Sequence, residues 1–165
     1  KIGLDIGAST GGFTDVLRQA GAAKIYAVDV GYGQLDSSLR NDPRVVVREK
    51  TNARYLTSAD IPDPIHVLVC DASFIGLKTI LPAPMALVQP GGWLVALIKP
   101  QFEVGKKNLG KNGVVRDPTL HAAVCDDIAA WLGNIAGWQL LGITPSPITG
   151  PEGNQEFLIA ATYNG

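Results

Sequence analysis

Leu4-Asp5-Ile6-Gly7-Ala8-Ser9-Thr10-Gly11-Gly12-Phe13 is the stretch whose reading decides the fold. A short apolar strand carrying an acid runs into a glycine-rich turn, and a helix begins. Such a turn lets backbone N–H groups and a helix N-terminus approach a polar ligand closely. Asp29 closes a second strand, Lys24 to Val30, and an acid there suits the ribose hydroxyls of a nucleoside cofactor. Together the two features predict a nucleotide-type cofactor on a Rossmann-like sheet. A turn that binds nothing is the bland alternative.

Outward from this stretch, strand and helix patterns alternate, the mark of a mostly parallel sheet covered on both faces. Strand one is Ile2 to Ile6. The first helix spans about Gly12 to Ala20, with Phe13, Val16, Leu17 and Ala20 on its apolar face and Gly21 as its stop. Gln34 to Arg40 reads as a short helix, Arg44 to Arg48 as strand three and His66 to Cys70 as strand four, leading to Asp71. Gly76 to Gln89 reads as helical, interrupted or kinked by Pro82 and Pro84. Gly92 to Ile98 is strand five, ending at Lys99. Asp117-Pro118 is an N-cap followed by proline at the first helical position. That helix runs to about Ala136, with Leu120, Val124, Ile128, Trp131 and Ile135 facing the core. Gln139 to Thr144 and Glu156 to Tyr163 are strands six and seven, joined by a proline- and glycine-rich loop that lets them pair antiparallel at the sheet edge.

The 165 residues fit one domain, 1–165, and 46% hydrophobic against 18% charged residues marks a globular chain. A net charge of −1 gives no global attraction to nucleic acid or anionic membrane, so RNA binding needs a local patch or a further domain. Cys70 and Cys125 make no disulfide framework, no spacing suggests zinc or another metal, and a reducing cytoplasm is the expected compartment. The most apolar stretch, Ala86 to Ile98, is broken by Gln89-Pro90-Gly91-Gly92, so no membrane span is expected. The chain opens at Lys1, directly on strand one and without methionine, and a preceding segment is expected.

The dinucleotide fingerprint needs glycine at the first, third and sixth positions of its turn. Gly7 and Gly12 fit, but the third position is Ser9. Asp5, two residues before Gly7, is placed to reach the amino group of an amino-acid-bearing cofactor. S-adenosylmethionine has that group and no phosphate, which favours it over NAD. Asn52-Ala53 after strand three are candidates for the adenine edge, with an ordinary cap or turn as the other reading.

Asp71, Lys99 and Glu156 stand at strand ends that such a fold gathers around the cofactor. A lysine between two acids can orient a hydroxyl nucleophile; a salt-bridge network at the sheet edge is the alternative. Cys70 raises a cysteine-nucleophile C5 methyltransferase, but strand alternation turns it away from the face of Asp71. Asp71-Ala72-Ser73-Phe74 lacks both prolines of the acid-Pro-Pro-aromatic motif of amino-group methyltransferases. His66 and His121 have no metal-type partner, and Trp93, Trp131 and Trp138 read as packing residues.

Five segments carry a family resemblance: Leu4 to Asp15, Val69 to Phe74, Leu97 to Glu103, Gly113 to Pro118 and Gly150 to Phe157. In sequence and order they resemble the TlyA (hemolysin A) family of FtsJ-like RNA methyltransferases. The resemblance implies a class I methyltransferase fold, seven strands in the order 3-2-1-4-5-7-6 with strand seven antiparallel. It implies S-adenosylmethionine held by Asp5, Gly7, Ala8, Ser9, Thr10, Gly11, Gly12, Phe13, Asp29, Val30, Asn52, Ala53 and Asp71. It implies 2′-O-methylation of ribosomal RNA, with ribosomal subunits as partners, and a lysine–aspartate–lysine–glutamate set whose last three members match Asp71, Lys99 and Glu156. The first lysine and an S4-like RNA-binding domain belong upstream and are not matched here. Beside the site, Lys106, Lys107, Lys111 and Arg116 form a basic loop suited to phosphates, and its glycines and asparagines suggest mobility. A non-catalytic RNA-binding module and a membrane-active hemolysin are the rival classes.

Overall fold

The computed structural model describes residues 1–165, apart from the side chains of Lys106 and Pro151. The apolar runs pair into a seven-stranded sheet of β1 (Ile2–Ile6), β2 (Lys24–Val28), β3 (Val45–Arg48), β4 (Ile65–Cys70), β5 (Val88–Ile98), β6 (Trp138–Pro145) and β7 (Phe157–Tyr163). Their order is β3-β2-β1-β4-β5-β7-β6, with β7 antiparallel to both neighbours, as expected for a class I methyltransferase fold.

Register decides where the polar residues fall. Ile6 stands opposite Val28 and Cys70, so the next residues, Gly7, Asp29 and Asp71, leave the sheet side by side. Ile98 stands opposite Phe157, which brings Lys99 and Glu156 to the same end from opposite chain directions. The chain crosses over between β1 and β4, where β1 pairs with β2 on one side and β4 on the other; open α/β sheets form their ligand crevice there.

Helices α1 (Gly12–Gln19) and α6 (Pro118–Gly133) show how far periodicity carries. Asp117 caps α6 through Thr119 N, and Val124, Ile128 and Leu132 are buried, with Trp131 and Ile135 packed beside them. Leu120, at the start of the expected stripe, is only half-buried, whereas Leu132, outside that stripe, is fully buried. On α1 the buried residues are Thr14 and Leu17, while Val16 and Ala20 face solvent. The apolar face is rotated because Thr14 has a buried hydrogen-bond partner, described below.

The helix expected over Gly76 to Gln89 is two single turns, α3 (Leu77–Ile80) and α4 (Pro82–Met85), since Pro82 and Pro84 withhold backbone donors. The strand after them begins at Val88, and its ladder with β4 jumps from Val88 to Trp93, leaving Gln89 to Gly92 as a bulge. The short helix expected from Gln34 forms only as α2 (Ser37–Arg40), capped by Asp36. Asp29 lies just beyond β2, which ends at Val28.

Candidate active site

Gly7 and Gly11 shape the turn after β1 for different reasons. Gly7 has φ +76, and a Cβ there would lie 2.5 Å from the carbonyl oxygen of Asp71. Its missing side chain lets the β1 and β4 ends close together. Gly11 has φ +107, and a Cβ would strike Leu39 at 2.2 Å. Ser9 also takes a positive φ of 50.

Asp5 is buried, 1% exposed, and its Oδ2 accepts a 2.7 Å hydrogen bond from the Thr14 hydroxyl. Its Oδ1 is buried with no partner among the described residues. Burial pushes this carboxyl up to about 7, against a restraining hydrogen bond from Thr14, and the nearby Asp71 and Asp29 charges push it the same way. Asp29 closes the other wall. Its oxygens accept from Ser9 N at 2.7 Å and Gly31 N at 2.8 Å, tying the turns after β1 and β2 together.

Between these turns lies a cleft of about 450 Å³. Gly7, Ser9, Asp29, Val30, Asn52, Ala53 and Asp71 of the expected cofactor set line it, joined by Gln34, Thr51 and Ser73. Ala8 faces a much smaller hollow alongside, shared with Ser9 and Asp29. Asp5, Thr10, Gly11, Gly12 and Phe13 do not line the cleft; Asp5 lies buried one residue before its wall begins at Ile6. Phe13 packs on the Leu17 and Ile25 cluster, and the Thr10 carbonyl holds Asp36 N. Asn52 both lines the cleft and caps a turn of 3₁₀ helix, its Oδ1 accepting from Arg54 N at 3.1 Å.

The cleft's charge is selective. Asp29 and Asp71 line it and no lysine or arginine does, among the described residues. The Ser9 N–H, which a pyrophosphate would need, is already given to a carboxylate. A cationic ligand suits these walls. The volume and acidic walls fit S-adenosylmethionine and disfavour a dinucleotide.

At the cleft's far side Lys99 is buried down to its tip and forms an ion pair with Asp71. Its Nζ also donates to Ser73 Oγ at 3.2 Å. Glu156 is buried at the same end of the sheet, and its Oε2 accepts from Gln101 Nε2 at 3.0 Å. The expected arrangement had both acids holding Lys99; in the structure Asp71 does so and Glu156 is held by Gln101. Lys99 precedes α5 (Pro100–Glu103), a single turn in which Pro100 and Gln101 are buried. Glu103 accepts from Leu77 N at 2.9 Å, and Phe102 meets the ring of Phe74 at 4.9 Å. Phe74 is 88% exposed at the mouth.

Cys70 is fully buried, and burial pushes its thiol up to about 12, which removes it as a nucleophile. His66 Nδ1 accepts from Ile2 N, a structural role. The basic loop is better anchored than its composition suggested. Val114 and Val115 are buried, Asn154 Oδ1 accepts from Val115 N at 3.0 Å, and His121 Nε2 is 2.7 Å from the Val115 carbonyl. Lys107, Lys111 and Arg116 project from it exposed and form no ion pair among the described residues. The Lys106 side chain lies outside the described residues. Sequence reasoning missed Thr14, Ser73 and Gln101. All three lie inside the segments that carry the family resemblance, but the resemblance gives none of them a role.

A family model described as FtsJ-like methyltransferase matches residues 1–163. The chain is 51% identical over 94% of its length to the 16S/23S rRNA (cytidine-2′-O)-methyltransferase TlyA of Mycobacterium tuberculosis, of which it covers 58%. It is 43% identical over 96% of its length to Hemolysin A of Brachyspira hyodysenteriae, covering 66% of that protein. A solved structure of a candidate hemolysin from Streptococcus thermophilus superposes with a TM-score of 0.93 at 44% identity, over 99% of this chain and 59% of that one. The chain thus spans under two thirds of each of these relatives.

Proposed function

The chain belongs to the FtsJ-like methyltransferase family, and from that premise we propose that it methylates a ribose 2′-hydroxyl of ribosomal RNA using S-adenosylmethionine. The observation that carries this reading is the buried Lys99 held by Asp71 at the edge of an acidic cleft. When bound, S-adenosylmethionine supplies an electrophilic methyl group. Asp5 receives the cofactor's ammonium, Asp29 its ribose, and Asn52-Ala53 border its base.

Lys99 orients the ribose hydroxyl and stabilises the partial negative charge on its oxygen as the hydroxyl proton is lost to solvent water and the O–C bond forms. Asp71 and Ser73 fix the ammonium, so its remaining N–H serves the substrate. Alignment matters most because the methyl donor is already activated. Lys107, Lys111 and Arg116 offer unpaired positive charge to RNA phosphates beside the site. The relatives named for rRNA methylation support ribosomal RNA as the substrate and the cytoplasm as the compartment. No helix among the described residues is long and apolar enough to cross a membrane, so the lytic reading gains no support from a helical span.

The test is tritiated methyl transfer to ribosomal subunits by the full-length protein, wild type against Lys99→Ala. Label on a ribose 2′-oxygen, lost in the variant, is expected. Equal rates would return Asp71, Lys99 and Glu156 to a structural ion network.

A further inference from the structure

We propose that Gln101 is a positioning residue for methyl transfer, fixing the Glu156 carboxylate in the catalytic group; this rests on the function proposed above. Gln101 is 7% exposed and sits in the turn directly after Lys99. Its Nε2 donates to Glu156 Oε2 at 3.0 Å, while its own Oε1 is buried without a partner among the described residues. Reversing the amide would set a carbonyl oxygen against the carboxylate, so the donor must face Glu156. A leucine or methionine would fill the same space without leaving a buried acceptor open, an arrangement that costs stability. What the amide adds is a directed bond to one acid.

The surroundings explain why that bond is needed. Lys99 forms its ion pair with Asp71, and among the described residues Glu156 forms no ion pair. Gly150 approaches the same oxygen, where a Cβ would stand 2.2 Å from Glu156 Oε2. The carboxylate is therefore packed against a glycine backbone and tied by the Gln101 amide. Because Gln101 and Lys99 share one turn, the bond also sets the distance between the acid and the lysine.

The test is a mutant cycle in the full-length protein, reading kcat, the KM for ribosomal subunits, cofactor affinity and melting temperature. Gln101→Leu should lower kcat by about tenfold or more, the rate equivalent of one hydrogen bond to a charged group. KM and cofactor affinity should stay within about twofold. In a Glu156→Gln background the same change should have almost no further effect on kcat. The swapped pair, Gln101→Glu with Glu156→Gln, remakes the bond in reverse. It should recover the melting temperature but not kcat, because the charge is then on the wrong residue. Wild-type kcat in Gln101→Leu, an undiminished loss in the Glu156→Gln background, or full recovery of kcat by the swap would each overturn the proposal. Wild-type protein that binds the cofactor but methylates no RNA would instead refute the functional reading, and the proposal with it.

Discussion

The Glu156 carboxylate takes its hydrogen bond from Gln101, 3.0 Å away, while the Lys99 ammonium is paired with Asp71. The two halves of the catalytic group are thus held separately. Lys99 has its own anchor and Glu156 has another, so removing either leaves the other in place.

Lys99→Ala should lower methyl transfer by at least about a hundredfold, the usual scale for removing a donor that stabilises developing charge on a reacting oxygen. Glu156→Ala should be less severe, because Asp71 still holds the lysine. Cofactor affinity by calorimetry should change little in both.

Asp5 should make the protein pH-sensitive in two ways. Its carboxyl is raised from 3.8 to about 7, so the folded state binds the proton more tightly than the unfolded chain. Stability should therefore fall as pH rises from about 4 to about 7, by at most roughly 4 kcal/mol. Asp5→Asn keeps an acceptor for Thr14 and should abolish that dependence in urea melts at pH 5 and pH 8. Cofactor binding should run the other way in wild type, tighter at pH 8 than at pH 6, and Asp5→Asn should weaken it about tenfold at pH 8.

Gly7→Ala and Gly12→Ala should separate two glycines of one turn. Gly7 combines φ +76 with a 2.5 Å approach to the Asp71 carbonyl, so alanine should cost about 2 kcal/mol or more and weaken cofactor binding. Gly12 opens α1 with nothing within 4 Å of a Cβ, so alanine should be neutral or stabilising by up to about 1 kcal/mol. Thermal melts decide both.

Lys107→Glu with Lys111→Glu should weaken binding to ribosomal subunits and flatten its salt dependence. Both side chains are exposed and outside the cleft, so cofactor affinity should be unchanged. A salt titration of binding, wild type against variant, measures this directly.

The sheet was legible because its strands are continuous apolar runs that stop at an acid or a lysine. Asp29, Asp71, Lys99 and Glu156 could therefore be assigned to strand ends without knowing what they touch. Strand order came from family resemblance, since alternation alone does not choose it. The partners were not legible. Thr14 lies off the helical face that hydrophobicity assigns to Phe13, Val16, Leu17 and Ala20, and its contact with Asp5 turns it inward while Val16 faces solvent. Gln101 and Glu156 are 55 residues apart and meet because of strand register, which no local period encodes. The stretch after Gly76 breaks into two single turns at Pro82 and Pro84, the interruption those prolines dictate.

The four-residue turn α5, with Lys99 at its head, touches the loop after β4, the first turn of α3 and the strand that returns as β7. Each consecutive residue from Gln101 to Glu103 has a different destination. Residue spacing there cannot be traded against residue identity: one inserted or deleted position would send every later side chain to the wrong neighbour. Substitutions in this turn should cause graded losses, whereas a change of length should not be tolerated at all. Insertions and deletions among natural variants of this domain should stop at Ile98 and resume only after Glu103.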